Sequence, residues 1–244
     1  MVSGPYVWRT SSNTHTGKVR SVNEDSLLMK NELPLWAVAD GMGGHEAGDV
    51  ASKMVVNSLE ALIACEYLSE FVNQLEDALL KVNAQILDLS ANVYGGKTMG
   101  STVVAMTVSG KVGICMWAGD SRLYRYRRGE LKRISRDHSQ VEELLARGLI
   151  SAEEAETHPA SNVITRAVGA GRELYIDITA FEIEADDTFM LCSDGLYNEV
   201  AEADIVTCLN MKHVEQSTTT LLNYALSSGA RDNVSVVVSR AYLA

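Results

Sequence analysis

Five short runs, Leu35 to Ala39, Thr102 to Val108, Val112 to Ala118, Thr188 to Cys192 and Val234 to Val238, are almost wholly apolar or β-branched and are punctuated by Gly, Asp or Ser. Segments this short suit strands better than buried helices, and their lack of polar alternation means that both faces are covered. Ser109-Gly110-Lys111 separates two of the runs closely enough for an antiparallel hairpin. Leu174, Ile176 and Ile178 alternate with Glu173, Tyr175 and Asp177, which predicts a more exposed strand. Helical spacing marks Ala47, Val50, Ala51, Met54 and Val55, then Val72, Leu75, Leu79, Val82, Ile86 and Leu89, and finally Val214, Leu221, Leu222 and Ala225. Strands and helices come in groups without βαβ alternation. The class is therefore α+β, with two antiparallel sheets packed together and helices outside.

Residues 136–169 differ from their surroundings. A short helical pattern around Val141, Leu144 and Leu145 is followed by the capping-box sequence Ser151-Ala152-Glu153-Glu154, and the segment reads as an inserted lobe. No repeat or low-complexity linker interrupts the chain, and 244 residues with 46% hydrophobic content suffice for one core, so 1–244 reads as a single domain. Cys65, Cys115, Cys192 and Cys208 form no C-x-x-C pair and read as reduced core residues. The N-terminus lacks a signal-peptide pattern, and no apolar run approaches the roughly 20 residues that cross a bilayer, so a cytoplasmic protein without a membrane partner is expected. A net charge of −11 argues against nucleic acid, which is bound through clustered Lys and Arg.

The acids are placed informatively. Asp40 follows the first apolar run, Asp120 the third, Asp194 the fourth, and Asp232 precedes the fifth. Glycine adjoins three of them, in Asp40-Gly41-Met42-Gly43-Gly44, Gly119-Asp120 and Asp194-Gly195, where it permits tight turning or close approach to a ligand. A lone Asp-Gly pair usually marks an ordinary turn. Four acids at buried strand ends, if the strands converge, repel one another unless cations neutralise them. Oxygen-only ligands favour magnesium or manganese over zinc.

Seven motifs follow in order: Arg20-Ser21-Val22-Asn23-Glu24-Asp25, Asp40-Gly41-Met42-Gly43-Gly44-His45, Gly100-Ser101-Thr102, Gly119-Asp120-Ser121-Arg122, Asp137-His138-Ser139, Ser193-Asp194-Gly195-Leu196 and Arg231-Asp232-Asn233. On these the chain resembles the metal-dependent protein phosphatases, the type-2C or PPM family, in the small stand-alone form usual in bacteria. The resemblance implies a β-sandwich flanked by helices in αββα layers, with a binuclear Mn2+ or Mg2+ centre at one edge. It implies that Asp40 bridges the two ions, that Asp194 and Asp232 complete the first, and that the Gly41 carbonyl and, through water, Glu24 serve the second. Asp120, with Asp194, matches a third-ion position, and 136–169 matches a mobile flap. The implied activity is hydrolysis of phosphoserine and phosphothreonine in proteins, a signalling role opposing a serine/threonine kinase.

Two ions about 3.5 to 4 Å apart acidify a water and attract phosphate, so no side-chain nucleophile is needed. Cys192 lies in a strand run, outside any C-x5-R arrangement. Arg20 is the candidate for binding substrate phosphate through paired hydrogen bonds, its bland alternative being an ion pair with Glu24 or Asp25. The leaving alkoxide needs a proton. Met42 stands where eukaryotic members carry a histidine, so the expected donor is a cation-held water, then His45, then His138. Arg122, Arg125, Arg127, Arg128, Lys132, Arg133 and Arg136 read as a solvated strand face, with docking of a phosphorylated segment as the alternative. A partner-switching phosphatase and a phosphoprotein-binding module without turnover are the competing functions. Gly41-Met42-Gly43-Gly44 is not a nucleotide loop, because it lacks both G-x-G-x-x-G and a G-K-[ST] ending.

Overall fold

The computed structural model describes residues 4–43, 47–156, 158–160 and 163–244. The strands are β1 (Tyr6–His15), β2 (Asp25–Lys30), β3 (Leu35–Met42), β4 (Gly100–Ser101), β5 (Val103–Ser109), β6 (Val112–Ala118), β7 (Arg122–Arg127), β8 (Glu130–Arg133), β9 (Asp177–Glu182), β10 (Thr188–Cys192) and β11 (Val234–Leu243). The helices are α1 (Ala47–Glu60), α2 (Leu68–Asn92), α3 (Gln140–Ala146), α4 (Ala152–Glu156), α5 (Asp194–Tyr197), α6 (Glu202–Leu209) and α7 (Val214–Ser228). One sheet has the order β1-β11-β10-β7-β8, the other β2-β3-β5-β6-β9 with β4 beside β3, and every pairing is antiparallel.

The two-faced burial of the apolar runs follows from the strand period of two. Trp36, Val38, Val104, Met106, Cys115 and Trp117 point inward and meet Leu123, Phe189, Leu191 and Val237 of the other sheet. Their neighbours Leu35, Ala37, Ala39, Val103, Ala105 and Met116 face the opposite way, onto α1 and α2. On the far side Met190, Cys192, Val234, Val236 and Val238 pack against Ile205 and Cys208 of α6 and Leu221 and Ala225 of α7. The result is a four-layer helix–sheet–sheet–helix stack, as expected. Among the described residues no helix is long and apolar enough to cross a membrane.

One predicted strand is displaced. Leu174 and Ile176 precede β9 and pack on the core covered by α1 and α2, while Ile178, opposite Met116 at the sheet edge, is exposed. Pairing with β6, not the local alternation, sets where β9 begins. Several elements had no apolar signal. β1 pairs along its whole length with β11 through Thr10–Ser239 and Thr14–Ser235 hydroxyl contacts of 2.8 Å, and Ser11 reaches Thr218 of α7 at 2.9 Å. In segment 136–169 the helix around Val141 forms, and the Ser151 capping box is realised, with Ser151 N–H donating to Glu154 Oε2 at 2.7 Å and Glu154 N–H to Ser151 Oγ at 3.2 Å. Among the described residues the cysteines form no disulfide, and Cys115, Cys192 and Cys208 are buried.

Candidate active site

The C-terminal end of β3 and the N-terminal end of β11 lie on neighbouring sheets, so the acids of both gather at one mouth of the sandwich. Asp40 ends the inward run of β3 and stands directly across from Asp25 of β2. Its peptide is fixed on both sides: Asp40 N–H donates to Thr102 Oγ1 at 3.0 Å, and Thr102 N–H donates to the Asp40 carbonyl at 2.8 Å. Thr102 Oγ1 in turn shares a 2.7 Å hydrogen bond with Ser121 Oγ. Next to Asp40, Gly41 N–H donates to the Glu24 carbonyl at 3.1 Å, and a Cβ at Gly41 would overlap the Gly48 carbonyl. Only glycine fits that approach of strand and helix.

The other sheet supplies Asp194, at the start of α5, and Asp232, just before β11. A Cβ at Gly195 would overlap the Asn233 carbonyl, which again explains the glycine. Asn233 ties this side to the N-terminal loop: its Oδ1 accepts from Glu24 N–H at 2.8 Å, and its Nδ2 donates to the carbonyls of Thr16 at 2.8 Å and Val22 at 2.9 Å. Ser193 Oγ donates to Asp25 Oδ2 at 2.8 Å and so crosses between the sheets.

The electrostatics show how tightly the acids crowd. Burial, followed by the charges of Asp25, Asp194, Asp120 and Asp232, holds the Asp40 carboxyl well above the usual carboxylate range. Burial likewise pushes Asp25 and Asp120 up to about 7 and Asp194 to about 6, and it raises Glu24. Glu24 Oε1 and Asp25 Oδ1 are buried without a hydrogen-bond partner. Among the described residues no three acid, His or Cys side chains are arranged to enclose one ion by themselves. Hard cations that retain several waters need only one or two carboxylates each, and an oxygen-only set with two orphaned oxygens suits them.

Arg20 sits at the rim. Its Nη2 donates to Asp232 Oδ2 at 2.7 Å with the guanidinium about half exposed. The ion pair foreseen for Arg20 exists, but with Asp232 instead of Glu24 or Asp25. The sequence offers Asp25 only as an alternative partner for Arg20, and what marks it is its acid pair with Glu24 in front of a strand. His45 lies outside the described residues. The His138 ring is buried, with Nδ1 accepting from Gly119 N–H at 3.1 Å and Nε2 facing Asp177 Oδ2 at 3.3 Å, and burial lowers its pKa.

The basic stretch is solvated in part, at Arg128, Lys132 and Arg136, and paired in the rest. Arg122 holds Asp137 bidentately, at 3.0 Å from Nε to Oδ1 and 2.6 Å from Nη2 to Oδ2, and stacks on the Tyr197 ring at 3.5 Å. Arg127 grips the fully buried Asp187 and reaches Glu184, each at 2.6 Å. Arg133 and Arg136 pair with Glu142 of α3. A cleft of about 700 Å³ runs from Asp120 and Tyr197 to Val141 and Leu145 of α3. A second concavity of about 410 Å³, lined by Trp8, Leu33 and Pro34 at the opposite ends of the strands, contains only one acid, Glu32.

Comparison with known proteins gives this architecture its class. The family model described as Protein phosphatase 2C matches residues 14–234, and the chain belongs to that family of serine/threonine protein phosphatases. Within the family it is similar to bacterial members. It is 35% identical over 236 residues to the serine/threonine phosphatase stp of Listeria innocua, covering 92% of each chain. PppA of Pseudomonas aeruginosa, described as a key regulatory component of T6SS, superposes with a TM-score of 0.90 at 40% identity over 99% of both chains. The catalytic domain of serine/threonine protein phosphatase PstP, solved in complex with two manganese ions, superposes with a TM-score of 0.83 at 34% identity, covering 97% of this chain and 99% of that one.

Proposed function

We propose that the chain hydrolyses phosphoserine and phosphothreonine in proteins with Mn2+ or Mg2+, acting in the cytoplasm against one or more serine/threonine kinases. The observation that carries this reading is the crowding of Asp25, Asp40, Asp120 and Asp194 at one end of the sandwich, where burial and mutual repulsion raise all four carboxyls. Divalent cations favour ionisation of such a set. The family relationship and the neighbour with two manganese ions support the same assignment.

Asp40, Asp194 and Asp232 would hold the ions, joined by the Gly41 carbonyl and by Glu24 through water, with Asp120 and Asp194 at a third position. Bound there, the cations supply an acidified water and positive charge facing the phosphoryl oxygens. Thr102 and Ser121 keep the Asp40 peptide in one orientation. Asn233 holds the Glu24 loop against the Asp232 turn. Arg20, which pairs with Asp232 here, has a half-exposed guanidinium, and with Asp232 engaged by an ion its fork would be free to bind the substrate phosphate. We read 1–244 as one catalytic domain in which 136–169 is a flap over the 700 Å³ cleft beside Asp120.

The test is hydrolysis of a phosphothreonine peptide by metal-stripped protein with manganese, magnesium or neither added, beside Asp194→Ala. Turnover that requires metal and disappears in the variant is expected. A wild-type protein that binds metal and phosphopeptide without turnover would instead make it a phosphoprotein-binding module.

A further inference from the structure

The two ends of segment 136–169 run side by side. Ser139 and Ile164 form a bridge, Gln140 N–H donates to the Val163 carbonyl at 2.9 Å, and Thr165 N–H donates to the His138 carbonyl at 2.7 Å. This is the neck of the proposed flap. Where the neck meets the sandwich, His138 makes a junction beside those of Ser101 with Val168 and of Trp117 with Arg136. His138 N–H donates to the Gly119 carbonyl at 2.9 Å, while its ring Nδ1 accepts from Gly119 N–H at 3.1 Å. Gly119 directly precedes Asp120, and its positive φ of 118° places it in a turn that packs against Thr102.

The ring has no freedom to do otherwise. It stacks on Trp117 with centroids 6.0 Å apart and planes 13° apart, and Trp117 Nε1 donates to the Arg136 carbonyl at 2.6 Å, closing the neck from behind. Because Gly119 N–H is only a donor, Nδ1 must be unprotonated, which leaves the ring proton on Nε2. There Asp177 Oδ2 accepts it at 3.3 Å, and Asp177 is itself held by Arg166 at 2.8 Å. The ring is thus oriented from both sides.

We propose that His138 is a positioning residue that clips the neck of the flap to the Gly119 peptide and thereby fixes the direction in which Asp120 leaves its turn. The role rests on the phosphatase reading of the site. It differs from that of a buried histidine that merely fills space, because it depends on one nitrogen. Asparagine carries its Oδ1 near the position of Nδ1 and keeps an acceptor for Gly119. Glutamine reaches instead to the position of Nε2, keeping Asp177 and abandoning Gly119.

The experiment compares wild type, His138→Asn and His138→Gln by amide hydrogen exchange across 117–121 and by kcat and KM for an aryl phosphate with manganese. Removing the acceptor is expected to speed exchange at Gly119 about tenfold and to lower kcat about tenfold in His138→Gln, with KM within about twofold, while His138→Asn stays within about threefold of wild type in both readouts. Nitrogen chemical shifts of His138 in the wild type give a check that needs no variant, and an Nδ1-protonated or doubly protonated ring at pH 7 would overturn the role. So would equal behaviour of the two variants, or faster exchange in His138→Gln with unchanged kcat. An active wild type with indistinguishable variants sinks the positioning role alone. A wild type inactive with every metal sinks the phosphatase reading and this role with it.

Discussion

Replacing Asp25 with asparagine should stabilise the metal-free protein above neutral pH and do so much less near pH 4. Burial raises the Asp25 carboxyl to about 7 from 3.8, so the folded protein binds its proton more tightly than the unfolded chain. Below 3.8 both states are protonated and the group contributes no difference. As pH rises through the window between those values the unfolded chain ionises first, stability falls, and above about 7 the full penalty persists. A shift of about three pH units at about 1.4 kcal/mol each sets a ceiling of about 4 kcal/mol. Neighbouring acids that share protons with Asp25 reduce this, so a gain of about 2 kcal/mol is expected at pH 8, or about 4 to 8 °C in melting temperature for a chain of this size. Asparagine retains an acceptor for the Ser193 hydroxyl, which now meets Oδ2 at 2.8 Å. The assay is thermal unfolding in chelator at pH 4.5 and pH 8, repeated with saturating manganese, where the advantage should vanish or reverse because a cation already offsets the charge. An Asp25→Asn protein that melts at or below the wild-type temperature at pH 8 without metal would refute the reasoning.

Other outcomes follow from the same geometry. Arg127→Ala strands the fully buried Asp187 carboxylate and should lower urea-unfolding stability by about 3 to 5 kcal/mol, while KM of the folded fraction is unchanged for both phosphopeptide and aryl phosphate; a selective rise in phosphopeptide KM would restore the docking role of this stretch. Gly41→Ala drives a methyl into the Gly48 carbonyl and should abolish metal-dependent activity, with destabilisation of more than about 2 kcal/mol seen by melting. Burial pushes the Cys192 thiol up to about 12 and also raises Cys115, so treatment of the native enzyme with iodoacetamide at pH 7.5 should leave turnover intact. Removing metal from the wild type should lower its melting temperature, with manganese at a hundred times its dissociation constant restoring about 2.7 kcal/mol.

The parts of the fold that announced themselves are those with apolar content on both faces. Leu35 to Ala39 and Ile114 to Ala118 are sandwiched between a second sheet and a helix layer, so every residue had to be hydrophobic. β1 could not be seen this way because Ser and Thr hydroxyls make its contacts with β11 and α7. The four strand-end aspartates were visible because each interrupts an apolar run, and their convergence needed only the sandwich. Asp25 and the Arg122–Asp137 pair were not assigned, since their importance lies in partners distant in sequence: Ser193 lies 168 residues from Asp25. The paired part of the basic stretch was hidden for the same reason. Its acids, Glu184 and Asp187, arrive from beyond β9, where no local pattern connects them to Arg127.

The strand order has a consequence for biosynthesis. Among the described strands β11 comes last in the chain, yet it lies between β1, which comes first, and β10, and Asp232 and Asn233 immediately precede it. A nascent chain carrying everything up to residue 230 holds Asp40, Asp120 and Asp194, but has neither the strand that joins β1 to the rest of its sheet nor the Asn233 that anchors the Glu24 loop. The mouth that gathers these acids therefore closes only after β11 has been made.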